Sequence, residues 1–587
     1  MKAPPLDTLQ QLLERSRDYP QSGLRFVDTG ERETFHSWRE IEERSAGIAG
    51  GLARLGLNPG DRVGLLYPTS IDFIVAFFGT LLASAVPVPL YPPVRLGRLS
   101  EYHARTAAML DVTETRLLLV DPRIRNVIGE TLATLPPRAL GLGTRALAEL
   151  GAQARLTTTG EPEDLALVQF SSGTTVEPRP VALTQRAILA QVRLLNAHWP
   201  ARPDLPHGEP TGVSWLPLYH DMGLIGCVLT ALERPSTLTL LPPESFIGKP
   251  ALWLRALSRH RATISTAPTF AYALATQRIR DEELDGCDLS TWEVALCGAE
   301  TVVPEVLRAF ADRFEPWGFR PEALAPVYGL SEAALAVTFP PLGRPLLSHR
   351  FDRLALADRG EAVPGDVGLE IASVGRPLPG FEIELRDEQG ETVAERRVGR
   401  LFLRGPSLLR GYLHQPEATA AALVDGWLDS GDLGFRLDGE LYLTGRAKEM
   451  ILVRGRNYAP ADLELAVAGL VDARPGCVVA ASHLPAGKAT EELLLFVEHR
   501  KGVTGDALRR LEGSAREAVL ARTGLAVDRV VVLAPGTIPR TSSGKLRRGE
   551  TLRRYLCSSL TVPGKTGPIQ LAWILARSRW KLLKGTK

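Results

Sequence analysis

Segments typical of strands alternate with segments typical of helices up to about residue 345, and this alternation limits the possible folds more than any other feature. Residues 37–55 carry apolar side chains along one helical face, residues 62–67 form a β-rich run, and residues 71–85 are predicted as a buried helix. The alternation resumes with a helix at residues 185–197 and an apolar strand near residues 213–216. Strands that alternate with helices form a parallel sheet covered on both faces. The predicted fold class is therefore α/β, with two doubly wound subdomains.

The pattern changes twice beyond that point. Short β-like runs between glycine and proline turns, at residues 380–385, 400–404 and 440–444, predict a small β-barrel or sandwich. Mixed strands and helices follow and predict a small α+β unit. The predicted organisation is a large N-terminal domain at residues 1–445 that includes the β-barrel at about residues 346–445, an α+β C-terminal domain at residues 446–565, and a basic amphipathic tail at residues 566–587.

Composition restricts the class of protein. The chain has 587 residues, 44% of them hydrophobic, which suits about three or four folding units of roughly 150 residues. A net charge of +2 gives no field that would favour nucleic acid, so no nucleic-acid partner is expected. The five cysteines include no Cys-x-x-Cys pair, which favours a reducing compartment and argues against a zinc site.

Two features decide the expected location. The N-terminal segment is polar and lacks the apolar core of a secretory signal, so we expect a cytoplasmic protein. Residues 73–94 carry no charge and are long enough to span a bilayer, but Pro87, Pro89, Pro92 and Pro93 would break the second half of such a helix. A buried helix followed by a short strand is the preferred prediction.

A strand-like run at residues 167–170 opens into a loop rich in hydroxyl groups. The loop contains Ser171, Ser172, Gly173, Thr174 and Thr175, and Arg179 follows it. Backbone N–H groups near a glycine can approach phosphate oxygens closely, and hydroxyl groups add further donors. The loop is therefore a candidate phosphate-binding segment, with a Ser/Thr-rich surface turn as the alternative.

Two further segments place charged groups after apolar strands. His220 and Asp221 lie between an apolar strand and a glycine-flanked helix start, which would present the imidazole to a cleft at the strand ends. A structural histidine is the alternative. Glu332 follows the flexible turn at Tyr328 and Gly329, where one carboxylate together with substrate phosphates could hold Mg²⁺. A charge at a helix N-terminus would explain Glu332 equally well.

Three polar segments nearer the C-terminus complete the set. Asp432 lies in a glycine-containing segment and could accept hydrogen bonds from ribose hydroxyls. Arg446 and Lys448 lie where the two predicted domains meet. Lys545 stands at the tip of a Gly/Ser loop, where a lysine would act as a mobile point charge. Taken singly, a turn and two charged surface loops would account for these residues.

The order and spacing of these segments resemble the adenylate-forming superfamily, which comprises acyl-CoA synthetases, peptide-synthetase adenylation domains and luciferases. The resemblance covers about residues 20–555 and is strongest to the fatty acyl-AMP ligases. The passages that carry it are Tyr91-Pro92-Pro93, Trp215-Leu216-Pro217 with His220-Asp221-Met222-Gly223-Leu224-Ile225-Gly226, and Arg454-Gly455-Arg456-Asn457. The extra segment of that branch corresponds to part of residues 339–366.

The resemblance implies an enzyme that uses ATP and Mg²⁺. The carboxylate of a medium- or long-chain fatty acid would attack the α-phosphorus of ATP, pyrophosphate would leave, and the acyl group would pass to the phosphopantetheine thiol of an acyl carrier protein. A fatty acyl-CoA ligase of the same fold and a non-catalytic relative that binds nucleotide or acyl chain are the alternatives. The joint presence of Glu332, Asp432, Arg446 and Lys545 disfavours the non-catalytic relative.

The resemblance also implies roles for individual residues. For the reacting groups, the implied set is Ser171 to Thr175 at the β- and γ-phosphates, Glu332 at Mg²⁺, Lys545 between the carboxylate and the α-phosphate, and His220 at the acyl-carboxylate end of the cleft. For the nucleotide, the set is Arg179, Gly329 and Ser331, with Gly298, Ala299, Glu300 and Tyr328 as the adenine wall and Asp432 and Arg446 at the ribose. The implied hinge of the mobile C-terminal domain is Lys448. The acyl tunnel is assigned to Ile225, Phe270 and Tyr272, with ordinary core packing as the alternative for each of them.

Two basic regions are predicted to contact partners. Arg547, Arg548, Arg553 and Arg554 would suit the acidic surface of a carrier protein, with a solvated basic face as the alternative. Residues 566–587 place apolar side chains on one helical stripe among basic residues, as in an interfacial helix that contacts a membrane peripherally. Packing against the enzyme or a partner is the alternative for this tail.

The phosphate-binding loop departs from the family pattern of glycine, proline, lysine and glycine. Val176, Pro178, Arg179 and Pro180 occupy these positions, which keeps the positive charge but replaces two glycines. We therefore predict a stiffer loop, with slower or differently gated handling of ATP.

Overall fold

The computed structural model covers most of the chain. It describes residues 6–93, 99–125, 127–129, 131, 143–151, 160–171, 178–199, 211–453, 456–485, 491–541 and 544–562. The predictions made for residues 172–177, for Arg454 and Gly455, and for the tail at residues 566–587 lie outside these ranges.

A seven-stranded sheet organises the part of the chain before residue 345. Its strands, in spatial order, are Leu324–Pro326, Val294–Cys297, Ile264–Ala267, Gly212–Ser214, Leu238–Leu240, Gly23–Val27 and Glu33–Ser37. All neighbouring strands are parallel except Glu33–Ser37, which is an antiparallel edge strand. Parallel strands direct their carboxyl ends to one edge of a sheet, so the segments that follow them lie together there.

Two smaller sheets complete this region. One is parallel, with the strand order Val86–Leu90, Arg62–Leu66 and Leu117–Val120, and the other is antiparallel, with the order Gly411–Tyr412, Pro180–Thr184 and Leu165–Phe170. The α-helices that the structure describes in this region are Leu9–Arg15, Trp38–Arg54, Ile71–Leu82, Leu99–Val112, Pro122–Arg125, Thr144–Gly151, Gln185–His198, Asp221–Gly223, Thr230–Glu233, Pro243–Gly248, Ala251–Arg259, Thr269–Arg278 and Pro304–Phe314. The predicted α/β fold class is confirmed.

The uncharged stretch that begins near residue 73 is a buried helix and a strand, as predicted. The Ser70 side chain accepts a hydrogen bond from the Phe73 N–H and so caps the helix Ile71–Leu82. Pro87 and Pro89 follow in Val86–Leu90, an edge strand of its sheet, where proline is tolerated, and Pro92 and Pro93 come after this strand. In the described ranges, no helix is both long enough and apolar enough to cross a membrane.

Antiparallel strands dominate from residue 346 to residue 446. Five of them form one sheet: Glu382–Arg386, Gly399–Arg404, Trp427–Leu437, Leu423–Val424 and Glu440–Arg446. Ser348–Phe351 pairs with Leu369–Ala372, and Arg376–Pro377 joins two strands that precede residue 346, Ala336–Phe339 and Tyr328–Gly329. The helices of this region are Arg353–Arg359 and Pro416–Ala422.

The C-terminal part has a sheet and a hydrophobic core of its own. Its strands are Ala473–His483, Glu492–His499 and Arg529–Leu533, with a hairpin of Ile451–Val453 and Arg456–Tyr458, and its helices are Pro460–Ala468, Asp506–Thr523 and Arg548–Leu556.

Ion pairs hold this part against the rest of the protein. The Asp462 carboxylate accepts hydrogen bonds from Nε of Arg353 at 2.8 Å and from Nε of Arg522 at 3.1 Å. Arg522 also donates to Glu305 at 3.4 Å. Because Arg353 and Glu305 precede the C-terminal part in the chain, these contacts join it to the large part, and Lys545 lies in a cleft between the two.

Candidate active site

A cleft of about 1050 Å³ lies between the carboxyl edge of the seven-stranded sheet and the C-terminal part. Three neighbouring strands of the sheet end there, and Phe270, Gly298 and Tyr328 follow them as lining residues. The predicted site residues that line the cleft are Ser171, Arg179, His220, Phe270, Gly298, Ala299, Glu300, Tyr328, Gly329, Ser331, Glu332, Asp432, Arg446, Lys448 and Lys545. Ser172, Gly173, Thr174 and Thr175 lie outside the described residues.

The predicted acyl tunnel is corrected at two of its three positions. Tyr272 is fully buried and donates its hydroxyl hydrogen to the carbonyl oxygen of Leu296 at 2.9 Å. Ile225 is also fully buried, in the hydrophobic core. On the same two helical segments, Phe270 and Gly226 line the cleft instead. Tertiary packing decides which face of each segment is turned to the cleft, and the local sequence does not reveal it.

His220 and Asp221 are in direct contact, with 2.5 Å between Nδ1 of the imidazole and Oδ1 of the carboxylate. The second oxygen of Asp221 accepts a hydrogen bond from the Ser331 hydroxyl. Burial alone would raise the pKa of Asp221, but His220, Ser331 and the positive charge of Lys545 hold this pKa well below its usual value. An ionised carboxylate only accepts hydrogen bonds, so Nδ1 of His220 carries a hydrogen.

Close backbone packing fixes the turn that carries His220. The His220 N–H donates to the carbonyl oxygen of Pro217 at 3.1 Å, and a Cβ at Gly223 would lie 2.3 Å from that same oxygen. This close approach requires glycine at position 223. Nε2 of His220 is buried and has no hydrogen-bond partner within the part of the chain that the structure describes. The imidazole is therefore fixed through one nitrogen and unsatisfied at the other.

A second polar group joins residues from two separate regions of the chain. Asp432 and Arg446 are cross-strand neighbours, and Nε of Arg446 lies 3.1 Å from Oδ1 of Asp432. The Tyr328 hydroxyl donates to Oδ2 of Asp432 at 2.6 Å. Burial raises the pKa of Asp432, while the charge of Arg446 and the Tyr328 hydrogen bond oppose this rise. The carboxylate is thus held by one donor on each oxygen.

Glu332 makes a contact that the sequence does not reveal. Tyr412 donates its hydroxyl hydrogen to Oε1 of Glu332 at 3.0 Å, and the Arg179 guanidinium lies over the Tyr412 ring, 4.9 Å from its centre. Burial raises the pKa of Glu332, and the hydrogen bond from Tyr412 opposes this rise. Tyr412 therefore links Glu332 to the base of the predicted phosphate loop.

Ser171 and Arg179 close the neck of that loop. The Ser171 N–H donates to the Arg179 carbonyl oxygen at 2.9 Å, and the Arg179 N–H donates to Oγ of Ser171 at 3.2 Å. Pro180 then begins the strand Pro180–Thr184, a position where proline is compatible with a sheet. Pro180, which stands where the family pattern has its last glycine, is thus the first residue of a strand and not part of the loop.

The segment at residues 298–300 packs closely against its neighbours. A Cβ at Gly298 would lie 2.8 Å from the Val327 carbonyl oxygen, which excludes a side chain there. Ala299 has φ of 70°, in the left-handed region that residues with a side chain rarely adopt. Backbone strain of this kind clusters at binding sites.

Glu300 holds the start of a helix as well as lining the cleft. Its carboxylate accepts a hydrogen bond from the Phe270 N–H at 2.6 Å, in the first turn of Thr269–Arg278. Burial raises the pKa of Glu300, and this hydrogen bond and the charge of Lys545 oppose the rise. At least part of its function is therefore structural.

The loop that carries Lys545 is held by hydrogen bonds. The Thr541 N–H donates to the Lys545 carbonyl oxygen at 2.8 Å, and the Lys545 N–H donates to Oγ1 of Thr541 at 3.0 Å. Arg540 donates from Nη1 to the carbonyl oxygen of Gly544 at 2.6 Å and from Nη2 to the carbonyl oxygen of Gly476 in the C-terminal sheet. Gly544 has φ of 91°, which favours glycine. Arg540 thus ties the loop to the sheet.

Lys545 lies among charges of both signs. Burial lowers its pKa, and the positive charge of Arg446 lowers it further. The carboxylates of Asp221, Glu300 and Asp432 oppose this effect. The three carboxylates therefore favour the protonated amine in a position where burial disfavours it.

The predicted basic docking face presents less unpaired charge than its sequence indicates, because carboxylates pair with three of its four arginines. Docking of a carrier protein there stays a prediction. The ion-pair partners are Glu449 and Glu464 for Arg548, Glu550 for Arg553, and Glu550 with Glu101 for Arg554. Arg547 is only 4% exposed. A sequence shows which residues are charged but not which charges are paired across the fold.

The chain is similar to known proteins along most of its length. Residues 14–413 match the family described as AMP-binding enzyme. The long-chain-fatty-acid–AMP ligase FadD26 of Mycobacterium marinum is 32% identical over 545 residues, which are 88% of this chain and 91% of that protein. A Caulobacter vibrioides protein with a provisional name as an acyl-CoA synthetase is 34% identical over 529 residues, 89% of this chain and 90% of that protein.

A solved structure from work on the fatty acyl-adenylate ligases of E. coli and L. pneumophila has the same fold. It superposes with a TM-score of 0.87 at 33% sequence identity, over 94% of this chain and 98% of that one.

Proposed function

The chain belongs to the family of AMP-binding enzymes, which confirms the resemblance found in the sequence, and we propose that it activates a fatty acid as its acyl-adenylate. The protein is an enzyme, an AMP-forming ligase. In the proposed reaction the fatty acid carboxylate attacks the α-phosphorus of ATP, and pyrophosphate leaves. The observation that supports this most is that Lys545, the pair of His220 and Asp221, and the pair of Asp432 and Arg446 line one cleft.

The reaction brings two anions together, so the site must supply positive charge where they meet. We assign this role to Lys545, which would lie between the attacking carboxylate and the α-phosphate. Burial lowers the pKa of this amine, and the charges of Asp221, Glu300 and Asp432 oppose that fall and favour the protonated form. Such a charge needs no reorganisation when negative charge concentrates at the reacting oxygens.

His220 is the proposed contact for the acyl carboxylate. Asp221 fixes the ring by accepting the hydrogen of Nδ1 at 2.5 Å, which leaves Nε2 as the nitrogen for a ligand. A buried nitrogen without a partner is costly. A bound carboxylate would satisfy Nε2 in the imidazolium form of His220, in which both ring nitrogens donate. The Ser331 hydroxyl holds the other oxygen of Asp221 and keeps the pair in position.

ATP would bind with its ribose at Asp432 and Arg446. In the proposed geometry the close packing at Gly298 leaves a flat backbone surface for the adenine, with Ala299, Glu300 and Tyr328 beside it. Ser171 and Arg179 stand at the base of the loop proposed for the β- and γ-phosphates.

Glu332 fits a Mg²⁺ ion that is shared with the phosphates. It offers carboxylate oxygen, the donor type that Mg²⁺ prefers. It also accepts a hydrogen bond from Tyr412, whose ring lies under the Arg179 guanidinium. The described residues contain no group of three or more side chains that could hold a metal ion by themselves, so the phosphates would supply further ligands. When bound, Mg²⁺ neutralises phosphate charge.

For the second step we propose transfer of the acyl group to the phosphopantetheine thiol of an acyl carrier protein. The name of FadD26, an AMP ligase, supports acyl-AMP as the product that is passed on, and the carrier protein is the acceptor that the resemblance to fatty acyl-AMP ligases implies. Lys448 is exposed in the turn Ala447–Glu449, between the large part and the C-terminal part, and is the proposed hinge for this step. An acyl-CoA ligase is the second candidate, which the provisional name of the Caulobacter relative favours.

The experiment combines product analysis with a choice of acceptors. Purified protein is incubated with labelled ATP, Mg²⁺ and a panel of fatty acids, and then either coenzyme A or holo carrier protein is added. We expect acyl-AMP and pyrophosphate to form only when a fatty acid is present, and the acyl group to move to the carrier protein. Efficient formation of acyl-CoA would overturn the proposed acceptor, and absence of acyl-AMP with every acid would overturn the proposed function.

A further inference from the structure

A pocket of about 60 Å³ lies beside the cleft, between the seven-stranded sheet and the helical segment at residues 221–233. Cys227 and Thr230 line it from the helical side, and Ile264 lines it from the sheet. Trp199, Gly226, Thr266 and Leu296 line both the pocket and the cleft. The two spaces are therefore neighbours that share one boundary.

The helical segment has an irregular turn at this boundary. Leu224–Leu229 is π-helical, between the α-helical turns Asp221–Gly223 and Thr230–Glu233. Such turns insert one extra residue into a helix and occur frequently at functional sites. Here the turn leaves Gly226 and Cys227 at the pocket, while the larger apolar residues of the segment pack in the core.

Gly226 keeps the boundary free of a side chain. A Cβ at this position would lie 2.7 Å from Cδ2 of Leu335, which itself lines the cleft. The end of a leucine side chain can move, so a small side chain at position 226 is compatible with the fold. The added group, or the displaced Leu335, would then narrow the space between the pocket and the cleft.

We propose that this pocket receives the distal end of the acyl chain and that Gly226 determines how long a chain can enter. The inference rests on the proposed function, in which the acyl carboxylate lies at His220. Met222 and Gly226 continue the cleft wall beyond His220 on the same segment, and the shared boundary at Gly226 leads into the pocket. A volume of about 60 Å³ holds about four water-sized groups, so the pocket would take the last few methylene groups.

The first test compares Gly226→Ala with the parent enzyme over saturated fatty acids of increasing chain length. Gly513→Ala is the matched control, since Gly513 lies in the helix Asp506–Thr523 and a Cβ there would meet no atom within 4 Å. For acids that reach the pocket, kcat/KM should fall by roughly tenfold or more, the usual penalty for one methylene that does not fit. For acids too short to reach it, kcat/KM should change by less than about twofold.

The pattern of loss decides the outcome. A loss that begins only above a certain chain length is the expected result. An equal loss for all chain lengths, or no loss for any, would overturn the inference. If the parent enzyme adenylated no fatty acid at all, the proposed function would fail, and this inference would fail with it.

The second test needs no turnover and uses the parent protein. Cys227 lines the pocket, and burial raises the pKa of its thiol to about 11, so a maleimide reacts with it slowly. The labelling is carried out at mildly alkaline pH, and its rate is measured by peptide mass spectrometry. A non-hydrolysable long-chain acyl-adenylate mimic should protect Cys227, whereas a short-chain mimic should not. The exposed Cys557 serves as the internal control. Equal protection by both mimics, or protection by neither, would overturn the inference.

Discussion

Replacement of Tyr412 by phenylalanine tests how the proposed Mg²⁺ site is built. The change keeps the ring under Arg179 but removes the hydroxyl that donates to Glu332 at 3.0 Å. A hydrogen bond to a charged group contributes roughly 1.5–3 kcal/mol. Loss of a residue that orients a metal ligand typically lowers metal affinity by roughly 10- to 100-fold. Converted to free energy, this loss is close to the contribution of that hydrogen bond. We therefore expect the apparent Mg²⁺ affinity to fall by roughly 10- to 100-fold.

The loss should depend on pH. Burial already raises the pKa of Glu332, and the Tyr412 hydrogen bond opposes this rise, so removal of the hydroxyl raises the pKa further. Mg²⁺ binds the ionised carboxylate, and the acid limb of activity should therefore move to higher pH.

The assay is the Mg²⁺ dependence of ATP–pyrophosphate exchange, measured at several pH values. Tyr442→Phe is the matched control, because Tyr442 is buried away from the cleft with its ring stacked on Phe435 at 5.2 Å. If Tyr412→Phe matched the parent in Mg²⁺ dependence at every pH, the reasoning about Glu332 would be refuted.

Two further predictions concern the charge at Lys545. Activity needs the protonated amine, so it is lost as pH rises through the lowered pKa of Lys545. Asp221 raises that pKa, and Asp221→Asn should therefore move the alkaline limb of the pH profile of ATP–pyrophosphate exchange to lower pH. An alkaline limb that does not move would contradict the coupling between Asp221 and Lys545. Arg540→Ala removes the hydrogen bond to the Gly544 carbonyl oxygen and should lower kcat, while KM for ATP changes by less than about threefold. Arg540→Lys should recover part of the lost kcat. A higher KM with unchanged kcat would instead assign Arg540 to nucleotide binding.

The elements that local patterns determine were predicted closely. The helix expected at residues 37–55 is Trp38–Arg54, with the Ser37 side chain as its cap, and the helix expected at residues 185–197 is Gln185–His198. The apolar strand expected near residues 213–216 is Gly212–Ser214. Caps and apolar periodicity act over a few residues, so the sequence contains enough information to locate these ends.

Contacts between distant segments could not be predicted in this way. Tyr412 reaches Glu332 because Gly411–Tyr412 pairs with Pro180–Thr184, and no local pattern indicates that pairing. Tyr272 and Ile225 were expected at the acyl tunnel, but packing directs the side chains of both residues into hydrophobic cores. The ion pairs of Arg548 and Arg554 were also hidden from the sequence, since Glu449 and Glu101 come from other elements.

The central claim is that Lys545 supplies the charge for joining a fatty acid to AMP in this cleft. Fatty-acid-dependent ATP–pyrophosphate exchange of Lys545→Ala tests it most directly, with Lys501→Ala, an exposed lysine of the C-terminal part, as the matched control. The account predicts that the parent and Lys501→Ala exchange at similar rates, whereas Lys545→Ala loses roughly 100-fold or more. Exchange by Lys545→Ala at the parent rate would contradict it.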